Sequence, residues 1–481
     1  MQATLENYSK PYISDLLTRK VSIAPLVTFR VIFGFMMLWS IIRFAANGWI
    51  KSLYIEPTYY FNYFGFSWVT PLGGPGMYWL FSIMALAAIG IMLGAFYRIS
   101  AAVFFLTFTY VELIDKTNYL NHYYFVSLVA LLMVFLPAQK SFSLDTWINP
   151  KIKKNKVEAW VRWIIPLQLA IVYFFAGVAK LNPDWLFEAQ PLKIWLPSKS
   201  DLPLIGISLT KEWVAYVFSW FGALYDLTIV FFLLYKRTRI YAYLAVLAFH
   251  IMTALLFQIG MFPYIMMLST LVFFPDKYHE KALNYLAALQ AKIFGKQGVK
   301  FSSRRLTNNG SIDYNMHPTY DLNRGLGKDS KRQNVALVLL STFLVIQLFL
   351  PFRYLMYPGN LFWTEQGYRF SWRVMLMEKA GYAIFHVKDN KTGKRWEVNN
   401  RDYLTANQEK MMSTQPDMIL QFAQYLEQVH QAKGSGDISI FVESYVALNG
   451  RNSRLFIDSQ VDLTQIEEGF EHKTWILPFK Q

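Results

Sequence analysis

Apolar residues come in long runs along most of the chain, at about 24–46, 76–96, 99–114, 119–137, 161–181, 213–235, 239–258, 260–275 and 335–356. An α-helix needs about 20 such residues to cross the hydrocarbon core of a bilayer, so these runs predict a bundle of membrane-spanning helices. The third and eighth are short, and the eighth has the length of a re-entrant segment, which leaves eight or nine crossings. Beyond residue 360 the pattern changes. Val387-Lys388-Asp389 and Arg395-Trp396-Glu397-Val398 flank Asn390-Lys391-Thr392-Gly393, which predicts a hairpin. Residues 437–447 and 453–458 read as strands joined through the tight-turn pair Asn449-Gly450. Between the two hairpins, 416–432 has helical periodicity. The predicted architecture is an all-α membrane domain over 1–356 and a soluble, β-rich domain over 357–481, expected as a sandwich with one helix.

Charge orients the bundle. Basic residues cluster between the apolar runs: Lys10, Arg19 and Lys20 before the first, 151–156 after the fourth, and Lys236, Arg237 and Arg239 after the sixth. The stretch 277–334 holds 11 Lys/Arg against 4 Asp/Glu. Nine crossings put all four segments on one side, where the positive-inside rule places the cytoplasm. Loops 47–75, 115–118 and 182–212 then lie outside, with everything after 356. The C-terminal domain is expected to be extracytoplasmic, periplasmic or lumenal.

Composition narrows the class further. The 481 residues are 54% apolar and 16% charged, against about 25% charged in ordinary soluble domains. A net charge of +15 would suit nucleic acid, but the basic residues sit in loops between spans and not on a polar fold, so no nucleic-acid partner is expected. There is no cysteine, which excludes disulfides, thiol catalysis and thiolate metal sites. The first apolar run is long enough to span and lacks a small-residue cleavage site, so no cleavable signal is expected.

Ionisable groups inside spans are costly, about 2.5–3.5 kcal/mol at a helix centre on insertion scales, and mark candidate sites. Lys180 closes the fifth run. It reads either as a lysine snorkelling to the interface or as a lysine in an apolar pocket whose desolvated amine serves as a general base. The small pair Ala176-Gly177 beside it would let a neighbouring helix or ligand come close. His122 opens the fourth run at the same outer level, beside Asn121; a structural hydrogen bond and a role at a carboxylate or oxyanion both fit it. His250, mid-run, should face the bundle interior. Arg30, Arg43, Glu112 and Asp226 are expected to form pairs within the bundle. The seven histidines have no metal-ligand spacing, so no metal is predicted.

These residues resemble the vitamin K-dependent gamma-glutamyl carboxylases. Asp115-Lys116-Thr117 to Asn121-His122-Tyr123 resembles that family's DKT…NH motif, and Gly177-Val178-Ala179-Lys180-Leu181…Asp184-Trp185 its GVxKL…DW motif. Phe249-His250 to Gln258-Ile259-Gly260-Met261-Phe262 is similar to its FH…QLFSIGMF segment, and Gly367-Tyr368-Arg369-Phe370-Ser371-Trp372-Arg373-Val374-Met375 to its YGYSWDMM stretch. Weaker similarity continues to Trp475, so the matches run in order over nearly the whole chain, which reads as an HTTM-domain membrane protein of this family.

The resemblance implies an enzyme, a carbon-carbon lyase and vitamin K epoxidase. It oxidises reduced vitamin K (menaquinol or phylloquinol) with O2 to the epoxide, and uses the strong base formed on the way to add CO2 to a protein glutamate. Lys180 maps to the family's base and His122 to its catalytic histidine. Asn121, His250, Tyr368, Ser371 and Trp372 are implied in substrate binding. Membrane lipid, a quinone and a glutamate-containing protein are the implied partners. Animal members extend beyond the position of Trp475 and carry a lysine at the position of Ala179; the shorter, cysteine-free chain is expected to be a bacterial-type homologue that uses menaquinone. A quinol epoxidase that carboxylates nothing and a non-enzymatic quinone- or lipid-binding protein are the competing readings. The leading reading expects Lys180, His122 and Asn121 to converge on one apolar cavity that opens towards the C-terminal domain.

Overall fold

The computed structural model describes residues 17–257, 259–294, 328–434 and 436–479. Lys10, Gln258 and most of the basic stretch 277–334 lie outside the described residues. The bundle consists of α1 (Ala24–Ala46), α2 (Gly76–Leu93), α3 (Tyr97–Ile114), α4 (Asn121–Phe135), α5 (Ala159–Lys180), α6 (Glu212–Leu234), α7 (Arg239–Leu256) and α8 (Phe262–Ser269), the last continued as a 3-10 turn over Thr270–Phe273. An amphipathic helix α9 (Asp276–Phe294) and a final apolar helix α10 (Lys328–Phe349) follow. Among the described residues seven helices are long and apolar enough to cross a membrane; α4 and α8 are the two shorter apolar ones. The protein is a multi-pass membrane protein.

The short pair also run from one end of the bundle to the other. The ring of Phe262, at the start of α8, lies 5.9 Å from that of His122 in the first turn of α4. Just past its end, Asp276 Oδ1 and Phe274 O accept from Arg162 in the first turn of α5, at 3.4 and 3.1 Å. Arg162 and Lys180 stand at opposite ends of α5, so α8 with its 3-10 turn covers the whole distance. Twelve helical residues rise only about 18 Å. This is tolerated because α8 is packed inside protein, where Pro263, Ile265, Met266 and Ser269 are buried. Leu86, Leu106, Phe231, Leu244 and Val338 face outward over the bundle, an apolar surface of the kind that lipid covers. Strand β1 (Lys20–Ser22) pairs with β2 (Lys156–Glu158) at the Arg162 end. Arg19, 151–156 and the start of α9 therefore share that end.

The expected intrabundle ion pairs formed only in part. Asp226 pairs with Lys180. Arg30 is fully buried and donates instead to the carbonyl oxygens of Ala138 and Phe142, where the chain after α4 leaves helical pairing. The Arg43 guanidinium lies over the Trp49 ring, and Glu112 has no ion pair among the described residues. The small pair in α5 does permit close packing. A Cβ built on Gly177 would sit 2.8 Å from the Leu227 backbone nitrogen of α6, so only glycine allows this approach.

The C-terminal region holds one four-stranded antiparallel sheet in the order β4-β3-β5-β6, from β3 (Lys379–Asp389), β4 (Arg395–Val398), β5 (Ile438–Leu448) and β6 (Arg454–Leu455). The expected sandwich is absent because a helix does the work of the second sheet. Two helices, α11 (Ala406–Met412) and α12 (Pro416–Ala432), follow β4. The alternate residues Ala383, Phe385 and Val387 of β3 and Ile440 and Val442 of β5 are buried, and the Phe385 and Phe422 rings meet edge to face at 5.0 Å. One helix thus covers one face, as the period-2 pattern requires. Asn449 and Gly450 both take positive φ (51° and 75°) in the turn after β5.

This region sits on the Lys180 end of the bundle through polar contacts to loops 55–70, 115–121 and 182–195. Lys116 Nζ lies 2.9 Å from Asp417 Oδ2, Gln408 Nε2 donates to Asp115 Oδ2 at 2.9 Å, and Arg451 and Asn449 hold Asp184. Burial would raise the Asp417 carboxyl, but Arg369, then Lys116 and Lys473, more than offset it and hold it well below the usual carboxylate range. A depressed folded pKa gives stability that is present above the unfolded value, about 4, and is lost as pH falls through the folded one. Asp417→Asn should therefore lower the thermal midpoint at pH 7, with the gap to the parent closing as pH falls below about 4; a gap independent of pH would refute the assignment. Gly177→Leu should lower the midpoint through overpacking, which costs about 1–3 kcal/mol, whereas Gly73→Leu, with nothing within 4 Å, should leave it unchanged.

Candidate active site

Lys180 lies in the last turn of α5 and is buried, with 6% of its surface exposed. The side chain does not snorkel. Its Nζ donates to Asp226 Oδ2 of α6 at 2.6 Å and to Ala176 O at 3.3 Å, and lies 5.4 Å from the Trp185 ring. The pocket is therefore not purely apolar, since the ammonium has a carboxylate partner. Asp226 Oδ1 has no hydrogen bond among the described residues. Gly222, one turn before Asp226, lies against the lysine stem: a Cβ there would make ordinary contact with Lys180 Cε, at 3.9 Å.

The pair borders a cavity of about 450 Å³ between α5, α6, α7 and α8, whose walls are mostly apolar and include Phe221, Phe249 and Leu256. A second polar group faces it from α7. His250 is 1% exposed, its Nε2 lies 3.2 Å from Tyr173 Oη, and its Nδ1 is buried without a partner. As expected for an ionisable residue in mid-span, it faces the interior. An orphaned buried nitrogen leaves one hydrogen bond unmade, at a cost of about 1–3 kcal/mol, which a ligand oxygen would recover.

His122 and Asn121 line a different cavity. This second space, about 270 Å³, adjoins the first and shares with it Ile259, Phe262, Val374 and Met375. The expected single chamber is thus two, divided by these four side chains. The second is far more polar, lined by Lys116, Glu365, Tyr368, Arg369, Arg373 and Gln415 as well. His122 is buried at 6% exposure, packed between Tyr123 and Phe262 at ring separations of 4.5 and 5.9 Å. Its ring nitrogens have no hydrogen bond among the described residues.

Asn121 is spent on position. Its Nδ2 donates to Arg373 O at 2.9 Å and its Oδ1 accepts from Tyr119 Oη at 3.1 Å. The Tyr119 oxygen in turn accepts from Phe370 N at 2.8 Å. These bonds hold a strained loop, where Glu365, Phe370, Trp372 and Met375 all take positive φ (54° to 61°) without being glycine. Such residues persist only where surrounding contacts over-determine them. Gly367 has the same sign, and a Cβ there would meet Tyr354 backbone at 2.7 Å. Tyr368 lines the polar cavity, with Oη 3.3 Å from Arg373 O. Ser371 and Trp372, implied above as substrate-binding, line neither cavity. Ser371 Oγ turns back to Tyr368 O, and Trp372 stacks on Tyr124 at 4.9 Å in the bundle core. The alternating left-handed backbone turns them away, and they support the loop instead.

Several polar residues of the two cavities carry no signal in the sequence alone, among them Arg369 and Arg373 of the Gly367–Met375 stretch. Arg369 is bound by Asp417 at 2.7 Å. Arg373 has no acidic partner among the described residues, and its buried Nε is orphaned. The sequence marks Asp226 as a paired acid but not its partner; an acid 46 positions from Lys180 is linked to it only by the packing of α5 on α6. Among the described residues, no group of three His, Asp or Glu is placed to hold a metal ion.

The bundle matches the HTTM domain over residues 18–278, more than half of the chain. Residues 332–481 match the lumenal domain of vitamin K-dependent gamma-carboxylase. No solved structure matches the chain. Two family models in tandem, meeting around the paired cavities, give the conclusion: the chain belongs to the vitamin K-dependent gamma-carboxylase family.

Proposed function

We propose that this protein oxidises a reduced naphthoquinone with O2 to its epoxide in the apolar cavity and carboxylates glutamate with CO2 in the polar one. The observation that carries this reading is the shared wall, four side chains between an apolar chamber and a cationic one. In the net reaction one oxygen of O2 enters the epoxide, the other leaves as water, and CO2 replaces the γ-hydrogen of the glutamate. The bound quinol supplies the electrons and, on reaction with O2, the strong base. The chain supplies binding, proton handling and exclusion of water.

The apolar chamber fits the ring and the start of an isoprenoid tail, and its two polar groups fit the two quinol oxygens. As an ion pair, Lys180 and Asp226 can take one further proton, and the vacancy is on Asp226 Oδ1. We assign the pair, rather than the lysine alone, as acceptor of the quinol proton, with Lys180 orienting the oxygen. Tyr173 and His250 hold the other oxygen. The apolar walls keep out water, which would quench a strong base. In the second chamber we assign Arg373, which lies over the Tyr354 ring but has no acidic partner among the described residues, to hold the glutamate carboxylate, and His122, packed on Phe262 of the dividing wall, to act near its γ-carbon. Asn121 and Tyr368 act by holding the loop.

Topology agrees with this reading. The basic segments 19–20, 151–156 and the start of α9 lie at one end of the bundle, opposite the sheet. With the positive-inside rule, this arrangement supports a membrane domain over 1–356 and an extracytoplasmic domain over 357–481, where a glutamate-containing protein would be met. A quinol epoxidase without carboxylation is the second reading, favoured by the fact that the apolar chamber contains every contact assigned to the quinol.

With reduced menaquinone, O2, labelled CO2 and a glutamyl peptide, the purified protein should form both epoxide and labelled peptide. Lys180→Ala and Asp226→Asn should each slow epoxide formation by about 100-fold or more, the usual scale for a lost acid-base group; an unaffected rate in either would remove that residue from the acceptor. His122→Ala and Arg373→Met should lose label but retain epoxide. Epoxide with no label from the parent protein would select the second reading, and neither product from a folded sample would reject both.

A further inference from the structure

Strand β3 has a neighbour along its full length on one side only. Its register with β5 runs from Lys379↔Leu448 to Asp389↔Ile438, whereas β4 covers only Phe385 to Lys388. Residues 379–384 are an open sheet edge. Parity shows which groups point out of it. Glu378 O and Asn390 N bond towards β5, to Asn449 N and Asp437 O, while Asp389 N bonds to Lys394 O on the opposite side. Each residue of an antiparallel pair directs both backbone groups to one side, alternating along the strand. Lys379, Gly381 and Ala383 therefore face the open side. Asn400 Nδ2 occupies the Ala383 carbonyl at 2.9 Å. The N–H and C=O of Gly381 have no partner among the described residues, and Ala380, Gly381 and Tyr382 are exposed.

Folded proteins blunt such edges with charge, proline, a bulge or a cover. The other flanks of this sheet are blunted. Strand β4 presents Arg395 and Glu397, and β5 is covered by the chain after β6, where Phe456 N bonds Ser444 O and Ile440 N bonds Asp462 Oδ1. The sequence Ala380-Gly381-Tyr382 carries none of these devices, and cover begins only at Ala383, where Asn400 takes the carbonyl. The one charge at its start, Lys379, is turned inward onto Glu365 Oε1, Trp363 O and Thr414 O at 2.8–2.9 Å. The edge also begins beside the polar cavity. Glu365 and Gln415 line that cavity, as do Leu376 and Met377 just before the strand.

We infer that this edge docks an extended acidic peptide, which adds as a further strand on β3 and carries a glutamyl side chain to the cations of the polar cavity. The inference rests on the reading of that cavity as a carboxylate site. Main-chain pairing supplies affinity without demanding a sequence, and Lys379 to Ala383 spans about 13 Å, enough for three or four peptide residues. The charge matches at Arg373: Lys116 and Arg369 are held by Asp417 and Glu365 by Lys379, which leaves Arg373 as the cavity cation without an acidic partner among the described residues.

The test measures binding of a labelled ten-residue glutamate-containing peptide to the full chain in lipid nanodiscs. Two further versions are N-methylated at alternate backbone positions in opposite phases, and amide exchange is followed over 379–383. One phase of methylation should weaken binding about tenfold or more, because it removes main-chain bonds and blocks approach; the other should not. The amides of Gly381 and Ala383 should gain protection with the parent peptide. Equal affinity for both phases, binding without protection of 379–383, or no binding would each overturn the inference. Epoxide formed by the same preparation without peptide, and label transferred to a single blocked glutamate too short to form a strand, report separately on the functional reading.

Discussion

A lysine ammonium cannot remain inside a helical bundle unless something compensates its charge, and in this protein Asp226 does so at 2.6 Å. Removing one partner of such a pair costs about 3–5 kcal/mol, because the other is left buried and unpaired. The rest of the site follows from this requirement. Helices α5 and α6 must approach closely enough for the pair to form, and Gly177 against Leu227 permits it. The indole of Trp185 lies over the ammonium, and its Nε1 is held by Ser219 O at 2.8 Å. What remains between α5, α6, α7 and α8 is an apolar chamber with charge at one place and the Tyr173–His250 pair at another.

The dividing wall is the second structural theme. Two of its members, Ile259 and Phe262, come from the turn before α8 and its first residue, and two, Val374 and Met375, from the loop below the sheet. Membrane bundle and C-terminal region therefore complete one site between them. The strain in loop 365–375 is explained by that position, since four non-glycine residues in left-handed conformations accompany the placing of Val374 and Met375 at the wall and Arg373 in the polar cavity, while Trp372 anchors the loop on Tyr124. Asp115-Lys116-Thr117 takes a mechanical meaning as well. Asp115 caps its own turn through Thr117 N at 2.9 Å and receives Gln408 from α11, and Lys116 reaches Asp417 at the start of α12. The motif fastens the outer region to the bundle beside His122.

Much of this was legible along the chain. Runs of about 20 apolar residues, basic segments between them and a change of period after 360 are local properties, and local properties survive in one dimension. The helix over 416–432 and the strand over 437–447 were visible for the same reason. The sheet's single-layered form was not, because period-2 alternation reports one buried face without saying whether a helix or a second sheet covers it. Likewise α8 looked too short to cross, since length carries no information about what surrounds a helix.

By itself, the sequence determined that the chain spans a membrane, which segments are basic, that no thiol chemistry is available, and that Lys180, His122 and His250 are candidate polar groups within apolar surroundings. Only the tertiary structure decided that Lys180 is paired with Asp226, that His122 and Lys180 face different chambers, and that Ser371 and Trp372 point away from both. The physical reason is that charge compensation, cavity walls and side-chain direction are set by residues tens or hundreds of positions apart. Asn121 bonded to Arg373 and Gln408 bonded to Asp115 are pairs that no local pattern contains.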